Sequence, residues 1–307
     1  MNQLSRTPSV PVVAQIAGPG AARAAARRRG TAAGPNRRPG WVTYALLSVV
    51  LVIGAIPLYF AFLLASSDAQ SIAQQPIPSL IPQGQFLENV QRVLDADINF
   101  WGAFRNSLIV STLTAVSVVF FSTLAGFSFS KLRFRGRRVL LVVVIATMAV
   151  PTQLGVVPLF ILMSRLDWVN TLQAVIVPGL VTAFGVFWMT QYLEEALPYE
   201  LIEAARIDGC SMIRTFWHVA LPAARPAASM LALFTFVASW TNFFWPFIVL
   251  PYNPTLPVAV QLLQASYFKD MALIMAGVVA TTVPLIVVFI FAGKQLVSGI
   301  MQGAVKG

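Results

Sequence analysis

Six long apolar stretches constrain the fold of this chain more than any other feature of its sequence. Each contains almost no charged residue, and they cover approximately residues 41–65, 105–130, 139–163, 172–193, 227–250 and 271–293. An α-helix needs about 20 mostly apolar residues to cross a hydrocarbon core about 30 Å thick. Because lipid offers no hydrogen-bond partner to backbone groups, each stretch must be helical. The sequence therefore predicts an all-α integral membrane protein with six transmembrane helices.

The composition supports a membrane protein and excludes the soluble classes. Of the 307 residues, 57% are apolar and 10% are charged, whereas a soluble domain averages about 45–50% apolar and about 25% charged residues. So few charged side chains cannot cover the surface of a water-soluble monomer. Cys210 is the only cysteine in the sequence, which excludes a disulfide-rich scaffold.

The basic residues are distributed unevenly among the segments that flank the apolar stretches. Lysine and arginine number 21 against 11 acidic residues, and 17 of the 21 lie in 1–40, 131–138, 194–226 and 294–307. With six membrane crossings, these four segments fall on the same side of the membrane. The positive-inside rule places that side in the cytoplasm, with both termini inside. The net charge of +10 therefore reports topology and does not indicate a nucleic-acid partner.

Residues 1–40 form a basic leader that is rich in Ala, Arg, Gly and Pro and contains no acidic residue. Such a segment cannot bury a core, so we predict a disordered cytoplasmic leader. A targeting presequence has a similar composition and stays an alternative. Residues 41–307 are predicted to form one transmembrane domain, which ends in a cytoplasmic tail at 294–307.

The connection between the fourth and fifth stretches is longer than a reversal of direction requires. It covers about 194–225 and holds five of the 11 acidic residues. Pro198 can begin a helix, with Glu200 and Glu203 near the positive end of its dipole. Gly209 suits a left-handed helix end. The pattern predicts a short helix on the cytoplasmic surface.

A second short helix is predicted to follow, with Ser211 as its N-cap and Pro222 at its end. The first helix has a face of mostly small residues at spacings i, i+3, i+4 and i+7, formed by Leu201, Ala204, Ala205 and Asp208. Small alanine side chains let a partner approach closely, and Glu203 offers a carboxylate to an arginine on that partner. The loop is therefore predicted to present a helix–glycine–helix pair to the cytosol.

The spacing of this loop resembles the EAA loop of bacterial ATP-binding-cassette importer permeases. The family pattern is EAA-x3-G-x9-I-x-LP, and the matching residues here are Glu203, Ala204, Ala205, Gly209, Leu221 and Pro222. The single departure is Val219 in place of isoleucine, which keeps a β-branched side chain. The match also falls on the side that the basic residues place in the cytoplasm.

Further segments resemble the binding-protein-dependent carbohydrate importers within that family. They are residues 105–108, the spacing Pro151-x6-Pro158, residues 239–246 and the terminal residues 303–307. Together they resemble the maltose-type second permease subunit. The resemblance covers about 41–307, whereas the basic leader has no counterpart.

The resemblance implies a membrane-spanning subunit of an ATP-binding-cassette importer in the bacterial cytoplasmic membrane. Such a subunit translocates a sugar delivered by an external solute-binding protein, and it assembles with a second permease subunit and an ATPase dimer. ATP and Mg²⁺ bind to the ATPase subunits, so this chain is expected to bind no cofactor and not to be an enzyme. Its sequence contains no GxxxxGK(S/T) phosphate-binding motif.

The resemblance also assigns roles to individual positions. The helix pair at about 199–218 is expected to dock onto the ATPase, with Glu203 as the contacting carboxylate and Gly209 as the turn. The tail is expected to reach the ATPase interface through Gly303, Val305, Lys306 and Gly307. The external loop at about 251–270 is expected to meet the solute-binding protein.

Polar and aromatic residues in or near the predicted spans mark a candidate substrate path. They are Gln153, Trp240, Asn242 and Trp245. Tryptophan rings stack on the apolar faces of sugars and amides bond to sugar hydroxyls, so polar residues of this kind inside a bundle suit a sugar. The alternative for the two tryptophans is a place in the aromatic belt or packing between helices.

An autonomous secondary transporter or channel is the second interpretation of the six spans. Such carriers usually hold charged groups inside the membrane for ion coupling, and the six apolar stretches hold none in their interiors. The sequence also shows no His, Cys and acidic residues at the spacing of a metal site. It therefore favours the importer permease.

Overall fold

The computed structural model describes residues 40–74, 79–266 and 270–304, and it describes side chains as far as Gly293. The predicted leader lies outside these ranges except for Gly40. All regular elements in the described ranges are helical. The chain divides after Ile56 into two compact units. Of the first unit, the structure describes only residues 40–56, most of which belong to one helix.

The helices of the described residues are named here in chain order. They are α1 (Trp41–Ala65), α2 (Ala69–Gln74), α3 (Phe86–Asp95), α4 (Phe100–Lys131), α5 (Arg137–Thr147), α6 (Val156–Arg165), α7 (Gln173–Ile176), α8 (Ala183–Ala196), α9 (Tyr199–Ile207), α10 (Met212–Trp240), α11 (Phe244–Val249), α12 (Leu256–Ser266) and α13 (Met271–Ala304). Short 3₁₀ turns lie at Thr152–Gly155 and Val177–Gly179.

Five helical segments are long and apolar enough to cross a membrane, and a sixth is added when α5 and α6 count as one bent span. The five are α1, α4, the segment from α7 to α8, α10 and the part of α13 up to Gly293. These segments follow the order of the six predicted apolar stretches. The predicted all-α membrane fold is confirmed.

The third apolar stretch is not one straight helix. α5 ends at Thr147, and the chain resumes in a 3₁₀ turn that leads into α6 at an angle of 90°. Pro151 lies at the break with an extended backbone (φ −60°, ψ 125°), and proline has no N–H to donate to the preceding turn. The third predicted span, at 139–163, is therefore a bent span with its break at Pro151.

The fifth span lies earlier in the chain than predicted. α10 begins at Met212 and ends at Trp240, and the chain breaks before the short α11, whereas the apolar pattern predicted a span at 227–250. The hydroxyl of Thr241 donates to the carbonyl of Val237 at 2.9 Å and completes the helix end. Apolar composition marks where a chain tolerates lipid, but it does not mark where helical hydrogen bonding starts and stops.

α4 is the central helix, and it makes its most extensive contacts with α8 and α10. Gly126 of α4 lies directly against the backbone of α8, because a Cβ added there would be 2.7 Å from the carbonyl carbon of Met189. Gly185 of α8 lies in the same way against the side chain of Ser122. Glycines at a crossing let two membrane helices approach closely, and they set the position of α8 against α4.

A polar chain joins the end of α1, α3 and the start of α13. The amide of Asn89 donates to the carbonyls of Ala65 and Ser67, both at 3.0 Å. Arg92 donates to the side-chain oxygen of Asn89 at 3.0 Å and forms an ion pair with Asp270. These contacts hold α3 across the end of the bundle that is predicted to be external.

Candidate functional site

Residues 199–222, called here the surface helix pair, comprise α9, a tight turn and the first turns of α10. The end of α9 is a Schellman motif, in which the N–H of Cys210 donates to the carbonyl of Ala205 at 2.8 Å. The N–H of Gly209 donates to the carbonyl of Arg206 at 3.0 Å. Gly209 has a φ of +74°, so the predicted left-handed glycine is present.

α10 begins with the predicted cap and then departs from the prediction. The side chain of Ser211 accepts the N–H of Arg214 at 3.4 Å. The helix next widens into a π turn at Phe216–Ala220, closed by a bond from the N–H of Leu221 to the carbonyl of Phe216. Pro222 was expected to end the second helix, but this expectation is wrong. Pro222 lies directly after the π turn, and the helix continues past it to Trp240.

One face of α9 is packed against the membrane-spanning helices. Ile202 is buried in one cluster with Leu193 of α8 and Phe216 of α10. Ala205 is buried on the same side. This packing joins α9 directly to α8 and α10, and close-packed interiors transmit strain between elements.

The opposite face of the surface helix pair is exposed. Glu203 and Ala204 point outward, and Ile207 and Ile213 are 86% and 72% exposed. Neither ion pair found among the described residues involves Glu203. The predicted small-residue face is therefore divided, since Ala204 faces outward and Ala205 inward. Exposed apolar side chains beside a carboxylate are typical of an interaction surface.

Replacing Gly209 is expected to loosen the turn between α9 and α10. A Cβ at this position meets no atom within 4 Å, so the cost comes from the backbone alone. Gly209→Val is expected to destabilise the turn by about 1–2 kcal/mol, and Gly209→Asn by less, because asparagine tolerates a positive φ. Hydrogen–deuterium exchange over residues 199–215 measures the difference. Equal protection in the two variants would contradict a role for the left-handed conformation.

The predicted C-terminal tail is described only in part. α13 continues to Ala304, so Gly303 lies in its last turn. Val305, Lys306 and Gly307 lie outside the described residues.

A cavity of about 550 Å³ lies between α4, α7, α10 and the break that separates α5 from α6. Gln153, Asn242 and Trp245, three of the four predicted path residues, line it. The indole N–H of Trp245 donates to the carbonyl of Ala174 at 3.0 Å, which fixes the ring. The other polar lining residues carry hydroxyls that the sequence analysis missed: Thr114, Thr152, Thr182, Thr235 and Ser239.

Trp240, the fourth predicted path residue, is not in the cavity lining. Its side chain is buried at 2% exposure, where it stacks on Phe236 and meets the edge of Phe104. Its indole N–H donates to the carbonyl of Thr281 at 3.2 Å. Trp240 therefore packs between α4, α10 and α13.

Thr114 is a lining residue whose hydroxyl makes no hydrogen bond to the described part of the chain. Its buried hydroxyl has no hydrogen-bond partner among the described residues, and the hydroxyl of Ser111, one turn earlier on α4, has none either. An unpaired buried polar group costs about 1–3 kcal/mol, which favours binding of a hydrogen-bonding ligand beside Thr114. The signal for this face is in the sequence, because Ser107, Ser111 and Thr114 follow helical spacing i, i+4 and i+7.

Neither region brings together a set of metal ligands. Within the three described ranges, no three His, Cys, Asp or Glu side chains are arranged to hold a metal ion. The ring of His218 is hydrogen-bonded to the carbonyl of Arg214 at 3.0 Å. The chemistry that these regions offer is hydrogen bonding, aromatic contact and surface docking.

The fold and site define a polytopic helical membrane protein with a polar cavity in its bundle and a helix pair exposed at one end. Residues 118–294 match the family described as the binding-protein-dependent transport system inner membrane component. The chain belongs to this family, whose members are permease subunits of ATP-binding-cassette importers and are not themselves enzymes. It is accordingly a component of the inner membrane, and the importer-permease prediction is confirmed.

Relatives that align with most of the chain support this assignment. The arabinooligosaccharides transport system permease protein AraQ of Halalkalibacterium halodurans is 32% identical over 87% of this chain and 96% of its own. The trehalose/maltose transport system permease protein MalG of Thermococcus litoralis is 30% identical over 85% and 98%. A crystal structure of a bacterial ABC transporter involved in the import of the acidic polysaccharide alginate matches the fold, with a TM-score of 0.69 and 23% identity over 83% of this chain and 95% of that one.

Proposed function

We propose that this chain forms part of the translocation pathway of an importer for a mono- or oligosaccharide. The relatives named for arabinooligosaccharides and for trehalose and maltose support a sugar as the substrate. An external solute-binding protein delivers the sugar, and a second permease subunit completes the pathway. ATP and Mg²⁺ bind to a separate ATPase dimer, and hydrolysis of that ATP drives transport.

The observation that carries this proposal is the exposed surface helix pair joined to two spans. Glu203 and Ala204 contact the ATPase, Ala205 anchors α9 against the bundle, and Gly209 sets the angle between the two helices. The closed ATPase dimer then binds one arrangement of the spans more tightly than the other. Such a difference in affinity is the requirement for coupling.

Leu221 and Pro222 have a different role in the proposed coupling. They follow the π turn at Phe216–Ala220 directly. Such wide turns and prolines mark points where a helix bends. We propose that α10 bends here when the surface helix pair is displaced.

The C-terminal tail is proposed as a second contact with the ATPase. α13 has 34 residues, so it is about 51 Å long and exceeds a hydrocarbon core of about 30 Å. Its last turns therefore extend beyond the membrane. We propose that Gly303, Val305, Lys306 and Gly307 contact the ATPase at the predicted cytoplasmic surface.

The cavity lined by Gln153, Asn242 and Trp245 is the proposed substrate path within this chain. Its volume of about 550 Å³ falls in the range of small-molecule sites, roughly 300–1,000 Å³. Its amides and hydroxyls match the donors and acceptors of a sugar, and the Trp245 ring offers a stacking surface. Trp240 contributes by holding α10 against α13 rather than by touching the sugar.

Thr114→Val is expected to lower sugar uptake about five- to tenfold without loss of folded protein. Valine keeps the shape of threonine and removes only the hydroxyl, and one hydrogen bond is worth about 1 kcal/mol. Ser111→Ala is the matched control, because it removes another unpartnered buried hydroxyl of α4 that does not line the cavity. Uptake of labelled sugars into cells that carry the complete transport system measures the effect.

The same assay tests the substrate class. Labelled arabinose oligosaccharides, maltose and trehalose are compared with an amino acid and a peptide of similar size. Transport of a sugar in this set supports the proposal, and transport of only the amino acid or peptide contradicts it. If Thr114→Val and Ser111→Ala lower uptake equally, the hydroxyl acts on helix packing and the cavity is not the path.

A further inference from the structure

The turn between α4 and α5 concentrates positive charge around one cavity. Residues 131–138 contain Lys131 and the arginines 133, 135, 137 and 138, with no acidic residue. A cavity of about 470 Å³ lies in this turn, lined by Arg133, Phe134, Gly136, Arg137, Arg138 and Val139. Three guanidinium groups therefore border a single space.

Little of this charge is neutralised by the protein. Arg137 lies 3.8 Å from the carboxylate of Glu194, and it is the one residue of the turn that forms an ion pair among the described residues. The guanidinium of Arg133 lies over the ring of Tyr199, 5.4 Å from its centroid. Arg138 is exposed and has no carboxylate within 4 Å in the described part of the chain. Carboxylates of the described residues therefore leave most of the positive charge around this cavity unpaired.

The start of α5 adds to this positive potential. Gly136 precedes the helix with a φ of +81°, and no side chain caps the first turn. Arg137 and Arg138 occupy that first turn, although cations are unfavourable at the positive end of a helix dipole. A bound anion would offset both the dipole and the neighbouring guanidinium groups.

The surroundings of the cavity distinguish a lipid from a soluble anion. Val139 is 68% exposed, and Phe134 and Leu140 are also exposed apolar residues beside the arginines. α5 continues with apolar residues into a membrane-spanning segment. The site thus lies at the end of a candidate membrane-spanning segment, beside exposed apolar side chains. Basic residues in this position recognise anionic headgroups.

We propose that this turn binds an anionic phospholipid, with the phosphate among Arg133, Arg137 and Arg138 and the acyl chains along Val139 and Leu140. A soluble phosphate would satisfy the arginines but would leave the exposed apolar residues uncovered. The proposal concerns lipid binding alone, and it holds whether or not the chain transports a sugar.

The position of the turn connects the lipid to the surface helix pair. Tyr199, which lies under Arg133, is the first residue of α9. Lys131 donates to the backbone carbonyl of Glu194 at 3.2 Å, and Arg137 pairs with the side chain of the same residue. A lipid held by these arginines therefore lies against the segment that leads from α8 into α9.

Native mass spectrometry of the full chain, purified in neutral detergent, tests the proposal. The probe is an equal mixture of phosphatidylglycerol and phosphatidylcholine with the same acyl chains. The wild-type chain is expected to retain phosphatidylglycerol preferentially. Arg133→Gln/Arg138→Gln is expected to reduce that retention roughly tenfold or more, since each arginine near an anionic headgroup contributes about 1 kcal/mol.

Two further variants separate a specific site from net charge and from misfolding. Arg27→Gln/Arg28→Gln removes two charges from another segment of the same predicted side, well before the first apolar stretch, and should keep wild-type retention. Arg133→Lys/Arg138→Lys keeps the charge and should retain phosphatidylglycerol within about threefold, even if the glutamine variant purifies poorly.

Three results would overturn the proposal. The first is equal phosphatidylglycerol retention in the wild-type chain and in both variants at 133 and 138. The second is complete displacement of the lipid by millimolar inorganic phosphate, which would identify a soluble anion. The third is unchanged lipid retention together with loss of a co-purifying ATPase in Arg133→Gln/Arg138→Gln, which would identify a protein docking site.

Discussion

Glu203→Lys is expected to reduce sugar uptake on the order of 100-fold, the upper part of the range for a lost coupling between two sites. Glu203 is an exposed carboxylate on α9, and neither ion pair of the described residues uses it. Its proposed partner is an arginine of the ATPase, so lysine replaces an attraction with a repulsion. Uptake and the amount of ATPase that co-purifies with the chain should fall together.

Glu195→Lys is the control for Glu203→Lys, because Glu195 is also exposed and acidic but lies at the end of α8. It should leave uptake and ATPase recovery near wild-type levels. Since Glu203 makes no core contact, thermal stability of the purified chain should be the same in both variants. Unchanged ATPase recovery in Glu203→Lys would remove the surface helix pair as the docking site.

Gly126→Val is expected to destabilise the folded chain by about 3 kcal/mol or more, at the high end for overpacking. A Cβ at Gly126 would lie 2.7 Å from the carbonyl carbon of Met189 and 2.9 Å from the nitrogen of Thr190. Both atoms belong to the backbone of α8, so no side-chain rotation relieves the clash. Thermal unfolding in detergent, followed by tryptophan fluorescence, should show a lower midpoint and a lower yield.

Gly54→Val is the matched control for Gly126→Val. Gly54 also lies within a long apolar helix, α1, but a Cβ there meets nothing within 4 Å. This variant should unfold at the wild-type temperature. Equal loss of stability in the two variants would show that valine disturbs the helices themselves and that the close approach of α4 and α8 is not the cause.

The turn and the cap of the surface helix pair were predicted because both depend on residues that are close together in the sequence. A left-handed turn at Gly209 and a cap at Ser211 involve atoms only a few residues apart. Such interactions depend on neighbours in the chain and hardly on the rest of the fold. The prediction that Pro222 ends the second helix was wrong. The π turn before it depends on how α10 packs, and the local sequence does not show that packing.

The substrate path was predicted less completely, because polarity alone does not say what surrounds a side chain. Trp240 and Trp245 are five residues apart on one apolar segment, yet one packs between three helices and the other lines the cavity. The sequence puts Thr114 on one helical face with Ser107 and Ser111, but its hydroxyl is buried without a partner only because other helices surround α4.

By itself, the sequence determined the all-α membrane class, the number and order of the apolar segments, and the position of the surface helix pair. These properties follow from hydropathy and from short-range hydrogen bonding, which act on each segment separately. Only the tertiary structure decided that the third segment bends by 90°, that Ala205 faces inward while Ala204 faces outward, and which polar side chains meet in a cavity. Those outcomes depend on contacts between residues far apart in the chain, where the geometry of one helix is set by the surface of another.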